Sequence, residues 1–445
     1  MSRRVSPLLH AFGGAATALA VGAAAVGFVT DVGLPDTPFS GVVSLEPVPL
    51  DGQDFAAQFA DRIPTAADVL HTLTPLQVAA LWRDLPDSFV DRLIDERPDA
   101  VGNLEGADYA DRDRANVYRL AIVQEQAQDA QQEALSRFRS VVSQAAAAIQ
   151  LAEAEARVAA IDTLVDVLDD RHRAPSSPDR FLISLDDSVD GPPLAAIAVG
   201  DLDVALYSTF FVPGMNSSLL EAEDYLRGVT RIQQASEDSA AVLWLGYESP
   251  GPVETVSTLR AEAGAVRLAA ALEGYDSYRD TVGLPSELSV LAHSYGSTTA
   301  AIALSSGNYG VSSFVMIGSA GVPADIELDD LQVRPDRVYA SEAMADVMAG
   351  KGQFWSGRVN PASVDWGAQL FGSNGATLDD GTVLAAVTAH DVVGPDTDAD
   401  HDKYLGDGTE SLYDIRMIVT GQRHEITPGG RTPSTDAPIL ADGAK

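Results

Sequence analysis

The sequence predicts an α/β fold, a mostly parallel sheet with helices on both faces, preceded by a helical N-terminal region. Two observations predict it. From Arg180 onward, short apolar runs of strand length alternate with helical stretches, the pattern of parallel strands joined by helical crossovers. Before that, Asp111 to Asp170 holds no Pro or Gly and is dominated by Ala, Glu, Gln, Arg and Leu, which are good helix formers.

The elements follow in order. Residues 1–30 read as a signal peptide or membrane anchor. Arg3 and Arg4 precede an uncharged stretch from Leu8 to Val29, with Ala23-Ala24-Ala25 as a small-residue cleavage site. Cut or uncut, this places the catalytic part outside the cytoplasm, secreted or membrane-anchored. Residues 31–64, rich in Pro, Gly and Asp, read as an extended linker. Residues 65–175 form the helical region, with Asp111–Asp170 as one long helix or a hairpin of two.

Residues 176–426 form the sheet domain. Phe181–Ile183 and Ala195–Val199 predict an antiparallel pair, and Asp203–Val212 a strand ending in a Pro213-Gly214 turn. Further strands are expected at Ala240–Leu245, Leu288–Ala292, Ser313–Ile317, Arg337–Ala340 and Val383–Val393. Helices are expected at Leu219–Ala235, Thr258–Leu272, Thr298–Leu304 and Leu412–Thr420. Residues 427–445 are Pro-, Gly- and Ser-rich and read as a disordered tail.

Composition excludes several functions. The net charge of −36 argues against nucleic acid, which requires a basic patch. The chain has no cysteine, so disulfides, a cysteine nucleophile and thiolate metal sites are excluded.

The chemistry-bearing segment is Leu288-Ser-Val-Leu-Ala292-His293-Ser294-Tyr295-Gly296-Ser297-Thr298. A buried strand runs into a tight turn with Ser294 at its apex, and a helix of small residues follows at once. That is the context of a nucleophile elbow, the mark of an α/β-hydrolase fold. The pattern Gly-x-Ser-x-Gly is met with Ala292 in the first position and Gly296 in the last.

Such a serine needs a base after it in the chain, and His390, His401 and His424 are available. His401 fits best, in the loop between the last expected strand and the last helix. His390 falls inside the expected strand, and His424 beyond the last helix. The acid should follow the penultimate strand; Glu342, Asp346 and Asp365 qualify, and Asp346 lies closest to the strand end. The oxyanion donors should be the N–H groups of Tyr295 and of Met215 in the Pro213-Gly214-Met215-Asn216 turn. Asp396, Asp398, Asp400 and Asp402 surround His401 with negative charge, which favours its imidazolium form. Asp396-x-Asp398-x-Asp400 also resembles the start of a calcium loop. Its sixth position is His401 where Gly is needed, and its twelfth is Asp407 where Glu is usual. No metal or cofactor is expected.

These residues resemble an actinobacterial α/β-hydrolase family, formerly a domain of unknown function. Four stretches carry the resemblance: Pro98–Gly106 with Arg112–Asn116; Val212-Pro-Gly-Met215; Trp244-Leu-Gly-Tyr-Glu-Ser-Pro250; and His293-Ser-Tyr-Gly-Ser297. Asp400-His401-Asp402-Lys403-Tyr404-Leu405 resembles the family's later His loop, usually Gly-His-Ser-Ser-Tyr, and departs from it at Asp400, Asp402 and Lys403. The resemblance implies the hydrolase fold and a Ser294/His401 pair, and names no substrate.

Two readings of function follow. The first is an exported serine hydrolase, esterase- or lipase-like, cleaving a small-molecule or lipid ester through an acyl-enzyme, with membrane or cell-envelope association. The second is a non-catalytic cell-envelope binding protein on the same scaffold, with Asp111–Asp170 as its working surface.

Overall fold

The computed structural model describes residues 51–140, 144–169, 177–394 and 400–429. The segment read as a signal peptide or anchor, the linker up to residue 50 and the tail from residue 430 lie outside the described residues. Among the described residues no helix is long and apolar enough to cross a membrane.

The first described residues are helical, not extended. Asp51 accepts hydrogen bonds from the Gln53 and Asp54 N–H groups and so caps α1 (Gly52–Phe59). α2 (Ile63–Leu70) and α3 (Pro75–Trp82) each carry Pro in the first turn. Thr74 and Gln77 close a capping box on α3. The linker expected over residues 31–64 therefore ends by Asp51. Its Gly and Asp serve helix starts, and Phe55 and Phe59 give the first helix an apolar face. α4 (Asp87–Glu96) and the short α5 (Pro98–Val101) complete a small core with Phe55, Leu81, Trp82, Phe89 and Leu93 buried.

The long helical stretch is a pair, α6 (Tyr109–Ser140) and α7 (Gln144–Leu168), packed against each other. The stretch Pro98–Asn116 ties this region to the sheet. Asn103 both donates to the Leu185 carbonyl and accepts from its N–H, at 2.8 and 3.0 Å. Asn116 donates to the carbonyls of Gly102 and Leu182, and Asp113 accepts from Leu182 N–H at 2.6 Å. Arg112, buried, forms a two-pronged ion pair with Glu105. These side chains cover a sheet edge that would otherwise expose pairing groups.

That edge is β1 (Arg180–Asp186), antiparallel to β2 (Leu194–Val199), which pairs antiparallel with β4 (Ser239–Leu245). β3 (Tyr207–Val212), β5 (Glu287–His293), β6 (Val311–Ile317), β7 (Val338–Ser341) and the two-residue β8 (Gln369–Leu370) continue in parallel, giving the order β1-β2-β4-β3-β5-β6-β7-β8. This is the α/β-hydrolase fold. Alternation along the strands sends Phe210 and Val212 to one core and Phe211 to the other. α9 (Leu259–Val282) and α10 (Tyr295–Ser306) cover the first face. α8 (Ala222–Gln233), α12 (Glu410–Val419) and the α6–α7 pair cover the second.

α11 (Val347–Ser356) follows β7. After β8, the chain makes a separate two-stranded hairpin, β9 (Asn374–Thr377) with β10 (Val383–Ala386). The strand expected over Val383–Val393 thus stops at Ala386, and residues 387–394 are a loop.

Candidate active site

Ser294 sits between β5 and α10 with φ 53° and ψ −125°, a backbone conformation that non-glycine residues rarely adopt. Its N–H donates to Ile317 O on β6, while its carbonyl accepts from Ser297 and Ala320 N–H, so the turn is held on three sides. Close approach demands small neighbours. A Cβ on Gly296 would lie 2.2 Å from the Val212 carbonyl oxygen, and one on Gly214 would lie 2.6 Å from Ser294 Cβ. Ala292, the departure from the glycine pattern, is fully buried within β5.

His390 Nε2 lies 2.9 Å from Ser294 Oγ. Its Nδ1 lies 2.8 and 2.9 Å from the two carboxylate oxygens of Asp346. The imidazole on Ser294 is thus His390, and the expected pairing with His401 is corrected. His401 is exposed on a turn, and its side chain hydrogen-bonds neither Ser294 nor Asp346. The physical reason is the early end of β10. A pleated strand would have fixed the direction of His390, but as a loop residue it is free to face Ser294. His424 is exposed and lies 3.2 Å from Glu425. Asp396 and Asp398, invoked for both the negative field and the calcium loop, lie outside the described residues. The remaining member of that loop, Asp400, is buried and taken up by Arg231 at 2.7 Å and by Gly394 N–H.

Asp346 caps α11, accepting from Met348 and Ala349 N–H at 3.0 and 3.1 Å. Tyr404 O–H donates to its other oxygen at 3.0 Å. Burial pushes the Asp346 carboxyl up. The hydrogen bond from His390, its charge, the Ala349 N–H and Tyr404 together hold it below the usual carboxylate range. Tyr404 comes from the very loop that was expected to supply the base. Its phenol is pushed well up by burial and by Asp346, so it stays a donor. Of the other two acids, Glu342 is raised, by burial first, and is held by Gln353 and Asn360. Asp365 is exposed.

Sequence reasoning missed His293. It is buried beside Ser294, and its Nε2 lies 2.8 Å from the His390 carbonyl oxygen, with ring centroids 4.7 Å apart. That contact requires an Nε2–H donor. Burial, then the neighbouring His390, pushes its pKa down to about 3, so it is neutral. The signal was its place inside the Ser294 motif.

The turn after β3 presents Met215 at the mouth of two grooves that both reach Ser294 and His390. The Trp244–Pro250 stretch explains itself here. Tyr247 O–H and Ser249 O–H donate to the Pro213 and Gly214 carbonyls, each at 2.8 Å, and Pro250 O accepts from Asn216 N–H. Asn216 itself has φ 56°. One groove, about 580 Å³, is lined by Asn216, Glu221, Asp224, Tyr225, Asp391 and Lys403. The other, about 360 Å³, is lined by Pro252, Val256, Met348, Trp355 and Tyr295, with Lys351 and Arg358 also on its wall.

A family model described as an alpha/beta hydrolase matches residues 190–354, which hold Ser294 and Asp346 and stop short of His390. An uncharacterized protein of Mycobacterium tuberculosis, found in two strains, is 26% identical over 381 residues, covering 80% of this chain. The chain spans 57% of the length of these relatives. Among solved structures, a dienelactone hydrolase from Anabaena variabilis is 15% identical with TM-score 0.33, covering 56% of this chain and 99% of its own. An esterase from Pseudomonas putida is 13% identical with TM-score 0.33, covering 62% and 91%.

Proposed function

We propose that this chain is a serine hydrolase that cleaves an ester through an acyl-enzyme on Ser294, with His390 as base and Asp346 as the orienting acid. The observation that carries it is the unbroken Ser294–His390–Asp346 chain of contacts, 2.9 and 2.8 Å, at the apex of a strained turn. The family match supports a hydrolase.

The ionised Asp346 fixes the tautomer. Nδ1–H of His390 points at the carboxylate, which leaves the Nε2 lone pair to accept the Ser294 proton. Ser294 Oγ then attacks the ester carbonyl carbon, and the carbonyl oxygen takes the negative charge. The N–H groups of Tyr295 and Met215 are the donors for that oxyanion. Tyr295 opens a helix, where N–H groups are unpaired and the dipole favours negative charge. Gly214 lets the Met215 turn come close to Ser294. Collapse of the intermediate breaks the ester C–O bond, and His390 returns its proton to the leaving alkoxide. Water, deprotonated by His390, then releases the acid and restores Ser294.

The Arg3-Arg4 start and uncharged Leu8–Val29 stretch make this an exported enzyme in our reading. The test is labelling with a fluorophosphonate probe. The wild type and His401→Ala should label, and Ser294→Ala and His390→Ala should not. Labelling that survives Ser294→Ala would remove Ser294 from the mechanism.

A further inference from the structure

The sides of the smaller groove continue outward as an apolar rim. On α11, Val347, Phe354 and Trp355 are exposed, at 64%, 71% and 72%. Across the groove a short turn that touches α11 exposes Val253 at 88% and Val256 at 52%. Phe354 and Trp355 are the only large exposed Phe and Trp side chains among the described residues. The rim is built, not frayed. Asp346 caps α11, and Arg358 ties the turn to α10 by donating to the Thr255 carbonyl and to Thr298 Oγ. Exposed apolar surface gathered in this way marks a contact site.

Two facts say what touches it. Trp355, Met348 and Val256 belong to the rim and also line the groove that ends at Ser294. Whatever covers the rim is therefore in line to deliver the group that enters the groove. The second fact is charge. The chain carries 65 acidic residues against 29 basic ones, yet Val347–Ser356 has no carboxylate and a single charge, Lys351. Glu254, on the facing turn, lies 3.7 Å from Arg260. A face cleared of acid in so acidic a chain suits an apolar, uncharged surface. The net charge of −36 opposes an anionic one.

We propose that this rim docks on a zwitterionic phospholipid bilayer and that the adjoining groove takes the acyl chain of an ester held there, which rests on the hydrolase reading above. Trp and Phe at the level of the headgroups, with apolar side chains inserted beside them, are the physical means.

Docking is tested apart from catalysis, by flotation of the Ser294→Ala protein without residues 1–30, the segment read as signal peptide or anchor, with phosphatidylcholine vesicles. The protein should float with the vesicles, and less so when phosphatidylglycerol is added. The combination Val253→Asp, Val347→Asp and Phe354→Asp, checked for folding by circular dichroism and melting, should reduce the bound fraction at least tenfold. Flotation unchanged by the three aspartates overturns the docking surface, as does a parent protein that never floats. So does a dimer, seen by sedimentation, that the same aspartates dissociate without any vesicle binding. The groove is tested on the wild type with p-nitrophenyl esters of rising chain length. kcat/KM should rise about fourfold per methylene, the factor for burying one CH2, and a flat series overturns the acyl assignment. If neither labelling nor any ester hydrolysis is found, the hydrolase reading fails, while flotation still decides the docking surface.

Discussion

Replacing Asp346 by Asn tests the orienting carboxylate with the smallest change of shape. The side chain is fully shielded, and its two oxygens meet four donors: His390 Nδ1, Tyr404 O–H, and the Met348 and Ala349 N–H groups. An amide offers one oxygen to those donors. If the oxygen stays on the α11 N–H groups, its NH2 faces His390 and Tyr404. The imidazole then accepts at Nδ1 and carries its proton on Nε2, pointing at Ser294 with no lone pair to take the serine proton. The expected loss in kcat is about 10³- to 10⁴-fold, roughly 4–5.5 kcal/mol of barrier. If the amide turns the other way, two helix N–H groups lose their acceptor, at about 1–3 kcal/mol of stability. The assay is the pre-steady-state burst with a p-nitrophenyl ester, run well below the melting temperature of both proteins. Glu342→Gln serves as the control and should stay within about threefold of wild type, because Glu342 holds Gln353 and Asn360 and not the imidazole. A burst within tenfold of wild type for Asp346→Asn, with the protein folded, would refute the role assigned to the carboxylate.

Three further outcomes are expected. His390→Ala should lower kcat/KM by at least about 10³-fold and His401→Ala by less than about threefold, measured on one soluble ester; the reverse order would return the base to His401. His293 has its folded pKa depressed to about 3 against an ordinary 6.5, so its contribution to stability is complete above the unfolded value and fades as pH falls toward the folded one. Denaturation at pH 7 and pH 4.5 should show about 2–3 kcal/mol of stability lost through this group, and His293→Gln should flatten that part of the profile. Gly214→Ala should cost about 1–3 kcal/mol of stability by overpacking and reduce the acylation rate at least tenfold, since the new methyl presses on Ser294; normal acylation would mean that the turn yields.

The sheet was legible in the sequence because its central strands are short, continuous apolar runs buried on both faces, as at Val290–Ala292 and Val315–Ile317. Ser294 was legible because a strand, a single polar apex and a helix of small residues have few other uses. The base was not. Val383 to Val393 is apolar enough to read as one strand, but its residues have different occupations. Leu384 pairs within a hairpin, whereas Val387 and Val392 fill the core beside Tyr404 and Leu405 from a loop. Local pattern cannot separate a strand from a loop whose apolar side chains are needed elsewhere in the core. The true last strand of the main sheet, β8, is two residues long and leaves no pattern at all. The part played by Tyr404 was unreadable for another reason: it acts on the site through a hydrogen bond across the fold, and no spacing in the chain records it.

Asp346 serves two masters at once. One of its oxygens accepts from the first turn of α11 and also faces the imidazole. A swinging lid hinged at the start of this helix would therefore have to unwind the turn and strip the carboxylate of two of its donors. The resulting rise in carboxyl pKa would disarm the imidazole at the moment the entrance widened. α11 is thus better described as a fixed jamb than as a door: the opening beside Ser294 stands ready without movement of that helix.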